Sequence, residues 1–238
     1  MALTGEHQHP DIKIFVSAHK PAVFPEGNSI LPVQVGVAHA ARRFDSTLHD
    51  DEGENISDKN PRYCELTAQY WAWKNEDADY YGFCHYRRYF DFTDTPHQEN
   101  DYGEIIDSYI DSQTIEKYGI NDGDISKAVD GWDVITTPLN DTRRIGGFTN
   151  LKQHWDADRH LRLKDLRHMY DILCARHPDY KADADAVLNG HTAAFCNMFI
   201  MKKDIFFEYN EWLFPLLDEF AEHTDFSKMD VQTTRTVG

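Results

Sequence analysis

The chain has no run of about 18 apolar residues, so no segment reads as a membrane-spanning helix. It is short of positive charge: 24 Lys and Arg stand against 41 Asp and Glu, a net charge of −17. A general nucleic-acid surface needs a basic face and is excluded, although a small basic pocket for a nucleotide diphosphate is not. Cysteine is scarce, with 4 residues at 64, 84, 174 and 196, no CxxC pair and no metal spacing. They read as buried or free thiols of a reducing cytoplasm. There is no G-x-S-x-G, no HExxH and no Cys/His pair in a familiar setting, so a hydrolase has no motif behind it. Counting carboxylates does not decide for or against a glycosidase pair. The first ten residues, MALTGEHQHP, lack the apolar core of a signal peptide and are expected to form a disordered tail, residues 1–10. The rest, 11–238, has neither a repeat nor a linker and suits one domain.

The stretch from Asn60 to Phe92 is the most informative. Asn60 is a good N-cap, Pro61 follows at the first helical position, and Leu66, Tyr70 and Trp73 recur on one helical face. Tyr80–Cys84 reads as a buried strand, and His85, Tyr86, Arg87 and Arg88 stand where it should emerge. In open α/β sheets ligands bind beyond the carboxyl ends of the strands. Two adjacent arginines there suit an anion, because each offers a planar fork of donors to phosphate oxygens. The competing reading gives one Arg a carboxylate partner and puts the tyrosines in the core.

Further apolar runs at Ile12–Ser17, Trp132–Thr136 and Asn197–Met201 complete a mostly parallel central sheet flanked by helices, an α/β fold. His19 and Lys20 follow the first run and suit a nucleotide phosphate or base; simple solvation is the alternative. The acidic cluster Asp50, Asp51, Glu52 and Glu54 is open to a divalent cation or to plain solvation, and it does not fit an EF-hand. Asn55, Ser57 and Asn60 are better suited to hydrogen-bonding a base or a sugar. Gly103–Tyr118 reads as an amphipathic helix, with a second one capped by Asn121 or Asp122 and ending near Val129. Asn140–Asn150 reads as a mobile loop whose Arg143 and Arg144 reach toward substrate. Leu151–His177 is helical in two pieces, and its histidines form no metal motif. Phe195–Met201 is a strand running into a long helix with Pro215 inside; Asp204 is a cap of that helix or, with Glu208 and Glu211, a carboxylate near the acceptor.

The runs NISDKNPRYCELTAQYWAWKN and YYGFCHYRRYF, with IKIFVSAHKP, NMFIMKKDIFFEYNEWLFPLLDE and the final QTTRTVG, resemble a bacterial family of capsular and exopolysaccharide gene clusters. That family, long catalogued as a domain of unknown function, is grouped with GT-A-type glycosyltransferases. The resemblance covers nearly the whole chain, loosely between Thr93 and Asn189. It implies a GT-A-like domain that moves a hexose from a nucleotide donor, a UDP-sugar such as UDP-galactofuranose, to a glycan or lipid-linked glycan acceptor. It also implies a cytoplasmic setting, with any membrane contact peripheral and at the inner face. A catalytically silent sugar- or nucleotide-binding component of an assembly complex is the alternative, for which the tyrosines at 80, 81, 86 and 89 would serve sugar stacking. Family members continue past the last glycine, so a truncated C-terminus is expected.

On this reading Arg87, His85 and Asp204 are the catalytic candidates, and His19, Lys20, Asn55, Ser57 and Arg88 bind the donor. Many GT-A enzymes place an Asp-x-Asp after the central strand to hold a metal on the diphosphate. Here His85-Tyr86-Arg87 stands in that place, and Asp91 and Asp94 are three apart. No metal ligand and no cofactor is therefore assigned; cationic side chains can neutralise a leaving diphosphate instead.

Overall fold

Strand-forming and helix-forming stretches alternate along the chain, and in the computed structural model, which describes residues 10–227, 229–230 and 233–234, they become one main sheet with helices on both faces. The expected tail at 1–10 and the closing QTTRTVG run fall almost wholly outside the described residues. The order is β1 (Ile12–Ala18), β2 (Ile30–Gln34), β3 (Leu48–His49), α1 (Asn60–Tyr63), α2 (Leu66–Asn75) and β4 (Tyr80–His85). Then come α3 (Ser112–Lys117), α4 (Asp122–Val129), β5 (Val134–Thr136), β6 (Asn140–Asp141), α5 (Thr142–Gly146), α6 (Leu151–Ala157), α7 (Leu163–Arg176) and α8 (Lys181–Asn189). The chain closes with β7 (Thr192–Ala193), β8 (Phe199–Lys202) and the long α9 (Lys203–His223).

The main sheet has six strands in the order β3-β2-β1-β4-β8-β5. β1 pairs in parallel with β2 and β4, and β2 with β3; β8 alone runs against its neighbours β4 and β5. The carboxyl ends of β1 to β5 therefore share one edge with the amino end of β8. All four runs expected to be strands lie in this sheet. β1 is apolar on both faces because both are covered. Ile12, Ile14 and Val16 pack with Ile200 and with Ile125 and Val129 of α4. Phe15 packs on the other side with Tyr81, Phe83 and Phe199, under Ala68, Trp71 and Ala72 of α2 and Phe206 of α9. Tyr81 stacks on Phe206 at 4.5 Å between ring centres with the planes 12° apart, a contact that adds to the area both rings bury. Gly82 faces Ile14 and Ile200 across the sheet, and a Cβ there would stand 2.8 Å from Ile14 Cγ1, so the register leaves no room for a side chain.

Several expectations change in detail. Asn60 does not cap from outside; it lies within α1 and donates to the carbonyl of Cys64 at 2.7 Å. The single helix foreseen from Asn60 breaks at Cys64, whose φ is 48°. Leu66, Tyr70 and Trp73 do share a face, but it packs on Phe214 of α9, while the opposite face with Ala68 and Trp71 meets the sheet. Only Ser112–Lys117 of the expected 103–118 helix forms. Upstream, the Asn100 side chain accepts from the amides of Tyr102 and Glu104, and Gly103 sits at φ 70°, a turn that competes with helix. Ile106 and Tyr109 are exposed as a result, at 71% and 78%. Asn121 caps α4 as expected, accepting from the amides of Gly123 and Asp124. The stretch 140–150 is not an open loop: β6 pairs with β7, and α5 follows. β8 begins at Phe199 rather than Phe195, because Cys196 and Asn197 adopt φ values of 79° and 46° that end an extended run.

Candidate functional site

The carboxyl edge of the parallel strands gathers positive charge. Ala18 ends β1, and His19 and Lys20 follow; His85 ends β4, and Tyr86, Arg87 and Arg88 follow. The β4 exit is a tight turn: the Arg88 amide donates to the His85 carbonyl at 2.8 Å and His85 donates back at 3.2 Å. The Tyr86 amide donates to the Ser17 carbonyl at 3.0 Å, which ties this turn to the end of β1. Tyr86 is buried and becomes the centre of the cluster. His19 meets its ring edge-on at 5.4 Å, and the Lys20 ammonium and Arg87 guanidinium lie 5.2 and 5.6 Å from its centre. Each cation is held by the ring's negative face, a contact of about 0.5–1 kcal/mol when exposed. Among the described residues neither Arg87 nor Arg88 is in an ion pair, so the reading that gave one of them a carboxylate partner is set aside.

His85 feels both burial and the field of this cluster. Burial, and then the charges of Arg87, Arg88, His19 and Lys20, push its pKa down to about 4. It is neutral at neutral pH, and its buried Nδ1 has no hydrogen-bond partner among the described residues. Burial penalises a charge of either sign, but the part of the shift that comes from the neighbouring cations marks a field that favours a negative group. His85 and Arg88 also line a narrow cleft together with Ser17, Glu65, Gln69, Phe83, Cys84, Cys196 and Asn197.

The structure thus brings together His19, Lys20, His85, Arg87 and Arg88. It does not bring in the other three candidates. Ser57 is fully buried; its hydroxyl donates to Asp50 at 2.6 Å and accepts from the Ala38 amide. The Asn55 side chain is taken up by its own loop, donating to the carbonyls of Asp51 and Gly53 and accepting from the Ser57 amide. Asp204 lies at the opposite edge, beside Asp79, Tyr80 and Lys203, in the first turn of α9, where a carboxylate favours the helix dipole. Tyr80 and His85 are the two ends of β4, roughly 16 Å apart at about 3.3 Å per residue.

The acidic loop is neither solvated nor an ion cage at its key residue. Asp50 is fully buried and accepts from the amides of Gly36 and Val37 and from the hydroxyls of Ser57 and Thr67, at 2.6–3.0 Å. Asp51 and Glu52 pair with Arg43. Arg143, expected to reach substrate, is held by Asp141 through a two-pronged contact. Asp91 accepts from the amide and hydroxyl of Thr93 and faces His97 at 3.5 Å. Among the described residues no three His, Cys, Asp or Glu side chains gather as a metal site would require, and no helix is long and apolar enough to cross a membrane.

Sequence reasoning missed the cleft residues Glu65, Gln69, Cys196 and Asn197. The signal was present for two of them: Glu65 and Gln69 are polar side chains one turn apart in an otherwise apolar stretch. Cys196 and Asn197 carried no signal, because they read as the start of a strand.

The fold is a mostly parallel α/β sheet with a cationic cluster at its carboxyl edge, where ligands of open α/β sheets bind. The chain belongs to the family described as domain of unknown function DUF4422, whose model matches residues 13–238. It is similar to a solved structure, the WbbM bifunctional glycosyltransferase in its apo form, with 34% identity and a TM-score of 0.91. That match covers 96% of this chain and 40% of the WbbM chain, so the present chain spans less than half the length of that relative. No protein with a curated description matches.

Proposed function

We propose that the chain is a glycosyltransferase that moves a hexose from a nucleotide donor, a UDP-sugar with galactofuranose as the leading sugar, to a glycan acceptor in bacterial surface polysaccharide synthesis. The observation that carries this is the cluster around Tyr86, where His19, Lys20, Arg87 and Arg88 converge at the carboxyl edge and where, among the described residues, Lys20, Arg87 and Arg88 are in no ion pair. A sugar nucleotide's diphosphate is the ligand such a cluster suits, and it gains charge as the sugar leaves. Arg87 and Arg88 take the phosphates, His85 stays neutral beside them, and Lys20 and His19 close the other side. The similarity to WbbM supports a glycosyltransferase. No metal ligand is included, since cationic side chains stand where a metal would. The four free thiols support a cytoplasmic setting.

The test is a thermal-shift screen of UDP, GDP, CDP and their sugars, followed by an assay of released nucleoside diphosphate with donor and acceptor together. A ligand bound to the folded state raises the melting temperature by mass action. UDP-sugars are expected to stabilise the protein and to be turned over. Stabilisation without turnover would favour a silent binding component, and no stabilisation by any nucleotide would overturn the reading.

A further inference from the structure

The cleft beside the cationic cluster has a second wall of opposite character. Gln69 is 1% exposed; its amide group donates to Asn210 at 2.9 Å, and its Oε1 is covered and has no partner among the described residues. Gln69 is therefore a covered wall of the cleft, whose volume of about 20 Å³ is that of a single water, and it is not itself open to a ligand. Glu65 lines the same cleft one helical turn earlier, at the start of α2. Its side chain makes no cap, and among the described residues it is in no hydrogen bond or ion pair. Three non-glycine residues have positive φ among the described residues, and all three belong to this place. Cys64 directly precedes Glu65 with φ 48°, and Cys196 and Asn197 line the cleft. Backbone strain of this kind persists where the surroundings hold it, and it gathers at functional sites.

We propose that Glu65, which is only partly buried, is the general base of the reaction: it accepts a hydrogen bond from the attacking hydroxyl of an acceptor sugar beside the cationic cluster and removes its proton. This rests on the glycosyltransferase reading above. The two walls fit the two halves of the reaction: the Glu65 carboxylate receives the hydroxyl donor, and Arg88 and His85 face the phosphates. The acceptor O–H gives its proton to the Glu65 carboxylate, and its oxygen forms a bond to the anomeric carbon of the donor sugar. The bond from that carbon to the diphosphate oxygen breaks, and its electron pair leaves with the diphosphate toward Arg87 and Arg88. Attack from the side opposite the leaving group inverts the anomeric configuration.

Glu65→Gln tests this, because it keeps the shape and removes the basicity. With UDP-galactofuranose as donor and octyl β-galactopyranoside as acceptor, kcat is expected to fall by about 10²–10⁴, the usual share of a general base. The dissociation constant of UDP, measured by calorimetry, should change by less than about threefold. The acidic limb of the pH profile of kcat/KM should disappear, Glu65→Asp should recover part of the rate, and the product should show inverted configuration by NMR. The proposal is overturned if Glu65→Gln turns over within about twofold of the wild type, if UDP binding falls in step with kcat, or if configuration is retained. Those outcomes leave the glycosyltransferase reading standing. A wild-type protein that binds no nucleotide and releases no diphosphate would instead overturn that reading, and this proposal with it.

Discussion

At the scale of single residues, the cationic cluster makes two predictions. Arg87→Ala should weaken UDP more than uridine in calorimetric titrations, because only the phosphates use the charge, and should lower turnover by about 10²–10³. Equal loss for both ligands would place Arg87 elsewhere. His85 gives the second. Its folded pKa is lowered to about 4 from 6.5, so as pH falls the unfolded chain takes up a proton first. The stability tied to neutral His85 is therefore full above about pH 6.5 and is lost as pH falls toward 4. Melting temperature should drop through that window, less steeply in His85→Asn, and less steeply in wild type when bound UDP offsets the arginine charges. Of the residues picked from sequence, His19, Lys20, His85, Arg87 and Arg88 came together because strand ends could be located. Asn55 and Ser57 did not, because a polar side chain in a loop looks the same whether it serves a ligand or its own backbone.

At the scale of elements, the acidic loop shows what the sequence concealed. Asp50 joins the turn after β2, the helical turn at Ser57–Lys59 and the start of α2, which is where Glu65 is set. Removing it leaves buried donors unpaired, each costing about 1–3 kcal/mol. Asp50→Ala should therefore lower stability in urea titration by several-fold more than Asp51→Ala, whose partner Arg43 is half-exposed. A similar small loss for both would show that the Asp50 network is dispensable. Apolar runs such as IKIFVS and YYGFC were legible because strands covered on both faces need nothing else. Gly103–Tyr118 was misread because its apolar spacing fits a helix, while Asn100 and Gly103 divert the backbone into a turn. Cys64, Cys196 and Asn197 were invisible, since nothing local marks a non-glycine residue for positive φ; the folded surroundings impose it.

At the scale of the whole molecule, a net charge of −17 surrounds a site that gathers cations, and this bears on metal dependence. A divalent ion has many surface carboxylates to visit, so binding of Mg²⁺ or Mn²⁺ as such would say nothing about catalysis. What matters is whether a metal sits on the diphosphate. The residues after β4, where a metal-binding Asp-x-Asp would stand, are His85, Tyr86, Arg87 and Arg88. A divalent cation placed among them would add to the positive field that, after burial, lowers His85, and would compete with both arginines for the same oxygens. Arg remains protonated at any working pH, so its charge is always available to the leaving group. Turnover in EDTA is therefore expected within about twofold of that in Mg²⁺, whereas Arg87→Ala and Arg88→Ala lose activity that added metal does not restore. If EDTA abolishes turnover and Mn²⁺ restores it, the arginine clamp is wrong, and Asp91 and Asp94, which follow the same turn, become the ligands to test by substitution.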